Sequence, residues 1–178
     1  ASKTVFNLLS SNKKVLNILS SVDNNTIAQN DLNRNELYSY LKNNYNIFNN
    51  KDIVEIEFIT KDNISFLKLF NPSDYGNSLL VKREDIAKVN KTKKKFSGFH
   101  ESDTSHGFRY IYPLFDENNN HIGALDISYS SDMLQYHLTN VSKIHTHFLV
   151  DKSIFKKYKV NIDKFKNIYT TSAKHIES

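Results

Sequence analysis

A lone arginine inside an otherwise apolar strand constrains this chain more than any other feature. The stretch Phe96–Tyr129 reads as three strands. Its central strand is Gly107-Phe108-Arg109-Tyr110-Ile111-Tyr112-Pro113. The last strand follows Asp116-Glu-Asn-Asn-Asn120, an Asn-rich connector that suits a tight hairpin. A charged group within such a strand must be paired or must bind something, because burying it alone is costly. The segment is therefore a candidate ligand-binding sheet.

The first fifty residues are expected to be helical. Val5, Leu8, Leu9, Val15, Leu16, Leu19 and Val22 keep three-to-four spacing, and Leu32, Leu37, Leu41 and Tyr45 repeat it. Asp23-Asn-Asn-Thr26 marks a break between the two, with Asp31 as the expected N-cap of the second helix. A narrow apolar stripe of this kind fits either a dimerising arm or a helix laid along a sheet. Strands begin at Ile53, where Val54, Ile56 and Phe58 are expected on one face. The turn Lys61-Asp62-Asn63 leads to a second strand over Ile64–Phe70. A loop over Asn71–Gly76, a helix around Leu79–Val89, the three strands already described and a helix over Ser131–Val141 complete the pattern. The tail adds one strand-like run, Ile144–Val150. The expected organisation is a helical arm over 1–50, a sheet domain over 51–142 and a C-terminal strand and extension over 143–178.

Two strands, a helical crossover and a three-stranded meander is the plan of an α+β, PAS-like five-stranded antiparallel sheet. Such a plan leaves room for a small molecule between sheet and helix. The length, 178 residues, suits one domain with a real core and an added helical arm.

Composition excludes several classes. No run approaches the roughly 18–20 apolar residues that span a bilayer, and the opening Ala1-Ser-Lys-Thr is not expected to be a secretion leader. The net charge of +5 is almost all lysine, with arginine only at 34, 83 and 109. Clustered arginine, the mark of nucleic-acid readers, is missing, and no nucleic-acid partner is expected. The dense run Lys91-Thr-Lys-Lys-Lys95 suits a solvated helix end, or a patch for phosphate or anionic lipid. Without cysteine there are no disulfides, thiolates or cysteine-held zinc. Four glycines leave little material for phosphate-cradling loops.

The segments Asp62–Phe70, Asn71–Gly76, Arg83, Gly98-Phe-His-Glu101, Gly107-Phe-Arg-Tyr110, Pro113 and Ile122–Ser128 together resemble Cache-type extracytoplasmic sensor domains. The pattern is similar to that of bacterial chemoreceptors, sensor histidine kinases and diguanylate cyclases, over roughly residues 50 to 130. The resemblance implies a periplasmic module flanked by transmembrane helices, sensing a small metabolite and often dimeric. Lys68 stands where such domains usually have arginine, and Phe70 where histidine or tryptophan is common.

Alternation groups Lys68 and Phe70 with Ile64 and Phe66 on the second strand. It groups Arg109 with Ile111 and Pro113, opposite Phe108, Tyr110 and Tyr112, and it groups Asp126 with Ile122 and Ala124. A face holding Lys68, Arg109 and Asp126 suits a carboxylate, which arginine grips bidentately. The other reading is that Arg109 and Asp126 pair with each other, or that one of them points to solvent. Phe99, His100, Tyr110 and Tyr112 are candidate aromatic walls, with core packing as the other reading. Arg83 either reaches the site or pairs with Asp74 or Glu84. His145 and His147 share a strand face but lack a third ligand at metal spacing, so no metal and no other cofactor is expected.

The expected function is that of an extracytoplasmic ligand-binding domain of a transmembrane receptor, without catalysis of its own. Its partners would be a small carboxylate and a second copy through the N-terminal helix, with membrane contact only through segments outside this sequence. Two other readings stay open. One is a cytoplasmic PAS-like module for interaction or a haem or flavin cofactor. The other is a small-anion enzyme using Arg109 and His100.

Overall fold

The computed structural model describes residues 2–44, 52–101 and 106–142. Tyr45, the run Ile144–Val150 with His145 and His147, and the rest of the 143–178 tail lie outside the described residues.

The N-terminal apolar stripe is carried by two helices where one was expected. Helices α1 (Ser2–Ser10) and α2 (Lys13–Ser21) part at Ser11 and Asn12. Asn12 Oδ1 accepts from Val15 N at 3.1 Å and so caps α2. After a short 3-10 turn over Val22–Asn24, helix α3 spans Ile27–Asn44. Its start is a capping box: Gln29 N donates to Thr26 Oγ1 at 3.3 Å, and Thr26 N donates to Gln29 Oε1 at 2.9 Å. Asp31, expected as the cap, lies inside α3 instead, where it accepts from Arg34 Nη1 at 2.6 Å.

The strands are β1 (Ile53–Thr60), β2 (Ser65–Lys68), β3 (Phe96–Glu101), β4 (His106–Phe115) and β5 (His121–Ser130), in the order β2-β1-β5-β4-β3. Helix α4 (Glu84–Thr92) crosses between β2 and β3, and α5 (Ser131–Ser142) follows β5. The fold is thus α+β on a five-stranded antiparallel sheet. The β4–β5 hairpin closes as its composition suggests: Asp116 Oδ1 accepts from Asn118 N and Asn120 N at 2.9 and 2.7 Å, and Asn119 takes φ 62°.

Contacts divide the chain into two units. The first holds Ala1–Gly98 with Arg109–Tyr129, and the second holds Phe99–Phe108 with Ser130–Ser178. In the first, the sheet is covered on both faces. Leu9, Val15, Leu19, Leu37 and Leu41 of the helices pack on Ile56, Phe58, Leu114, Leu125 and Ile127. On the other face Ile86 and Val89 of α4 pack on Ile59, Ile111 and Ala124. The opening helix is tied to β4: the Phe6 ring stacks on Tyr112 with centroids 4.4 Å apart, and the Ser2 and Tyr112 hydroxyls lie 3.1 Å apart. In the second unit Phe99 meets Phe108 edge-on at 5.5 Å, and Ser130 Oγ accepts from Met133 N at the start of α5.

Two local expectations are corrected. A register shift between Ile53 and Glu55 turns Val54 outward, 43% exposed, and buries Ile53 in its place. The crossover helix starts at Glu84 rather than near Leu79. Leu80 and Val81 are exposed, so that stretch has no apolar stripe to bury, whereas Glu84 and Asp85 suit the positive end of a helix.

Candidate functional site

Strand register builds a charged row across the face that α4 covers. Glu57 on β1 is the Cα partner of both Lys68 on β2 and Asp126 on β5. Directly opposed residues share a face, so the three side chains stand side by side. Arg109 on β4 extends the row: its Nη1 donates to Asp126 Oδ2 at 3.0 Å and to Ser128 Oγ at 2.7 Å. Arg83, at the N-terminal boundary of α4, comes down from above. Its Nη2 donates to the same Asp126 Oδ2 at 2.8 Å. Its Nε and Nη2 also meet Asp85 Oδ1 and Oδ2, each at 3.0 Å, in a bidentate fork.

The cluster is dry. Asp126 is fully buried, and Arg83 and Arg109 are each 7% exposed. Burial by itself would pull the Arg83 guanidinium down, but Asp126 and Asp85 beside it reverse that and hold it well above its usual value. The two arginines and two aspartates balance. Asp126 Oδ1 has no hydrogen-bond partner among the described residues. Next to it, Glu57 accepts from Ser65 Oγ. Burial raises the Glu57 carboxyl above its ordinary value, the Ser65 hydrogen bond opposes that, and the charge of Asp126 adds to the rise.

The row ends at the 71–77 loop. Lys68 Nζ donates to Asp74 Oδ2, and Phe70 N donates to Glu55 Oε1 at 3.1 Å. Glu55 also accepts from Ile56 N at 2.9 Å, and burial pushes its carboxyl up to about 7 against these two bonds. Behind the loop, Arg34 of α3 donates through Nε to Phe66 O at 2.6 Å and lies over the Tyr75 ring.

The structure brings Lys68, Arg83, Arg109 and Asp126 to one face. Arg109 and Asp126 are paired with each other, one of the arrangements left open from sequence. Arg83 pairs with Asp85 and Asp126, not with Asp74 or Glu84: Asp74 is held by Lys68, and Glu84 is exposed. The Phe70 side chain is 38% exposed at the loop. Tyr110 and Tyr112 do not wall the row. They point to the opposite face, where Tyr110 meets Tyr129 edge-on at 5.8 Å and Tyr112 holds Phe6. Phe99 and His100 belong to the second unit. Glu57, Asp85 and Ser128 are members of the cluster that sequence reasoning missed. Alternation with Ile56 and Phe58 was the available signal for Glu57, and the acidic first turn of α4 was the signal for Asp85.

The family model described as the double sensory domain of two-component sensor kinase matches residues 3–177. Among solved structures, the sensor domain of the V. cholerae histidine kinase DctB superposes with a TM-score of 0.52 at 16% identity, covering 76% of this chain and 50% of that one. A domain of a putative sensory box/GGDEF family protein from Vibrio parahaemolyticus gives 0.50 at 17% identity, covering 78% and 55%. The sensory domain of the Campylobacter jejuni chemoreceptor Tlp3 gives 0.46 at 18% identity, covering 77% and 59%. This chain therefore spans little more than half the length of these domains. At such identity the first two likenesses speak to the fold. No curated protein sequence matches the chain.

Proposed function

This chain belongs to the double sensory domain family of two-component sensor kinases, and from that premise we propose that it is the extracytoplasmic ligand-binding module of a membrane receptor. No described helix is long and apolar enough to cross a membrane, so the anchoring segments of such a receptor belong to sequence outside these helices. The module carries no chemistry of its own. Its ligand is a small metabolite bearing a carboxylate.

The observation that carries this reading is the convergence of Arg83 and Arg109 on a single carboxylate oxygen beneath α4. A ligand carboxylate that displaces Asp126 from one guanidinium keeps both cations paired, which limits the cost of the exchange in a buried site. Repacking there moves α4 and the 71–77 loop, and the terminal helices carry the change outward. Two copies pair through the N-terminal helices, where Ile27 and Leu32 of α3 are exposed apolar residues.

The test is a thermal-shift screen over organic acids, amino acids and amines, repeated on Arg109→Lys. Carboxylates should raise the melting temperature of the wild-type chain, and the lysine variant should lose most of that rise. A rise with amines alone, or one unchanged in Arg109→Lys, overturns the carboxylate assignment.

A further inference from the structure

Lys68 stands among three carboxylates and holds one of them. Its ammonium is bonded to Asp74. Across the strand pair its Cα partner is Glu57, and Glu55 lies two residues along on the same face of β1. Both glutamates feel the Lys68 charge. The other groups facing them come from each neighbouring element: Ser65 on β2, Asp126 and Ser128 on β5, and Arg83 entering α4. Arg83 and Arg109 are engaged by Asp85, Asp126 and Ser128. Lys68, on its flexible four-carbon stem at the loop end of the row, is placed to trade Asp74 for a glutamate of β1.

What Lys68 holds is a loop with a defined seat. Asp74 N donates to Asn71 O at 3.0 Å, Asp74 Oδ1 accepts from Asn77 Nδ2 at 2.8 Å, and Gly76 N donates to Ser65 O at 2.8 Å. Tyr75, between them, lies against Arg34 of α3. The loop therefore joins the charged face of the sheet to the long helix on the other face.

We propose that the proton is a second effector of this domain, bound at Glu55 and Glu57, and that Lys68 is the latch it operates. With both carboxyls protonated, Lys68 has Asp74 as its charged partner and the loop is held. With either ionised, the ammonium is drawn to β1, Asp74 is released, and the seat of Tyr75 on α3 loosens. Burial of the two glutamates favours their protonated forms and so brings the exchange toward neutral pH. Coulomb attraction inside the covered face exceeds that at the half-exposed Asp74, which sets the direction of the swing.

The experiment needs no metabolite. Amide hydrogen exchange of residues 71–77, corrected for intrinsic rates, is followed from pH 5.5 to 8 in the 178-residue chain and in Glu55→Gln/Glu57→Gln and Asp74→Asn. In the wild type, protection of the Gly76 amide should fall on the order of tenfold across that range. The neutral double variant should stay protected throughout, and Asp74→Asn should be unprotected throughout. Carboxyl carbon NMR of the wild type gives a second readout, with Glu55 titrating near pH 7 and Glu57 above the ordinary glutamate range. Flat protection in the wild type, a fall that survives in the double variant, or both glutamates titrating below pH 5 overturns the proposal. Because no carboxylate ligand is added, that failure would leave the metabolite reading standing.

Discussion

Arg34 lies over the ring of Tyr75, its guanidinium carbon 3.5 Å from the ring centroid. The same side chain donates to Phe66 O at 2.6 Å and to Asp31 Oδ1 at 2.6 Å. One residue of α3 thus grips the backbone of β2, its own helix and the 71–77 loop. Arg34→Ala would leave the Phe66 carbonyl without that donor and remove the stacking. Equilibrium urea unfolding should show a loss of about 3 kcal/mol, the sum of an unsatisfied buried acceptor and a cation–π contact. Tyr75→Leu removes only the stacking, and should lose about 1 kcal/mol.

Asp126→Asn tests the fork. It leaves two buried guanidiniums facing a neutral amide, and removing one partner of a buried pair costs about 3–5 kcal/mol. Unfolding by urea at pH 7 measures it. Glu117→Ala breaks the Lys13–Glu117 bridge, whose side chains are 80% and 51% exposed, and should leave the midpoint unchanged.

The fold should lose stability as pH rises through the mildly acidic range. Burial lifts the Glu55 carboxyl from 4.5 to about 7, so the folded chain binds its proton more tightly than the unfolded chain. The contribution is complete below about pH 4.5 and is lost between there and about pH 7. Glu57 is shifted in the same direction. Allowing for partial solvation, Glu55 accounts for about 2 kcal/mol of the change. Melting temperatures from pH 4.5 to 8 should fall in the wild type and fall less in Glu55→Gln.

Gly123 and Gly76 should respond differently to alanine, although both have positive φ. A Cβ at Gly123, at φ 143°, would lie 2.1 Å from Ile59 O on the neighbouring strand β1. Gly123→Ala should unfold the domain or cost more than about 3 kcal/mol, because backbone must move. At Gly76, with φ 79° and open space, only backbone strain of about 1 kcal/mol is expected. Thermal melts of the two variants make the comparison.

Much of the sheet was legible because its signals are local. Alternation marks β4 and β5, and Asp116 with its asparagines marks their turn. Alternation also put Lys68, Arg109 and Asp126 on one face. What escaped depends on tertiary cover. Glu55 and Glu57 alternate with Ile56 and Phe58, a pattern that reads as a solvated face until α4 and its approach bury it. The partner of Arg83 follows from where α4 starts, and Leu79–Val81 looks helical by composition alone. Alternation already set Tyr110 and Tyr112 opposite Arg109. It does not name the rings they meet: Tyr129 on the neighbouring strand, and Phe6, far away along the chain.

The link between Ser2 and Tyr112 spans 110 positions of sequence. The stretch that carries α1 is made before the strand that carries Tyr112, so the Phe6 ring waits for its stacking partner while Leu9 can already settle among α2, α3 and β1. Contacts between residues so far apart along a chain close late, because the intervening loop must be ordered first. A chain stopped before β4 would therefore carry Phe6 without the tyrosine that covers it.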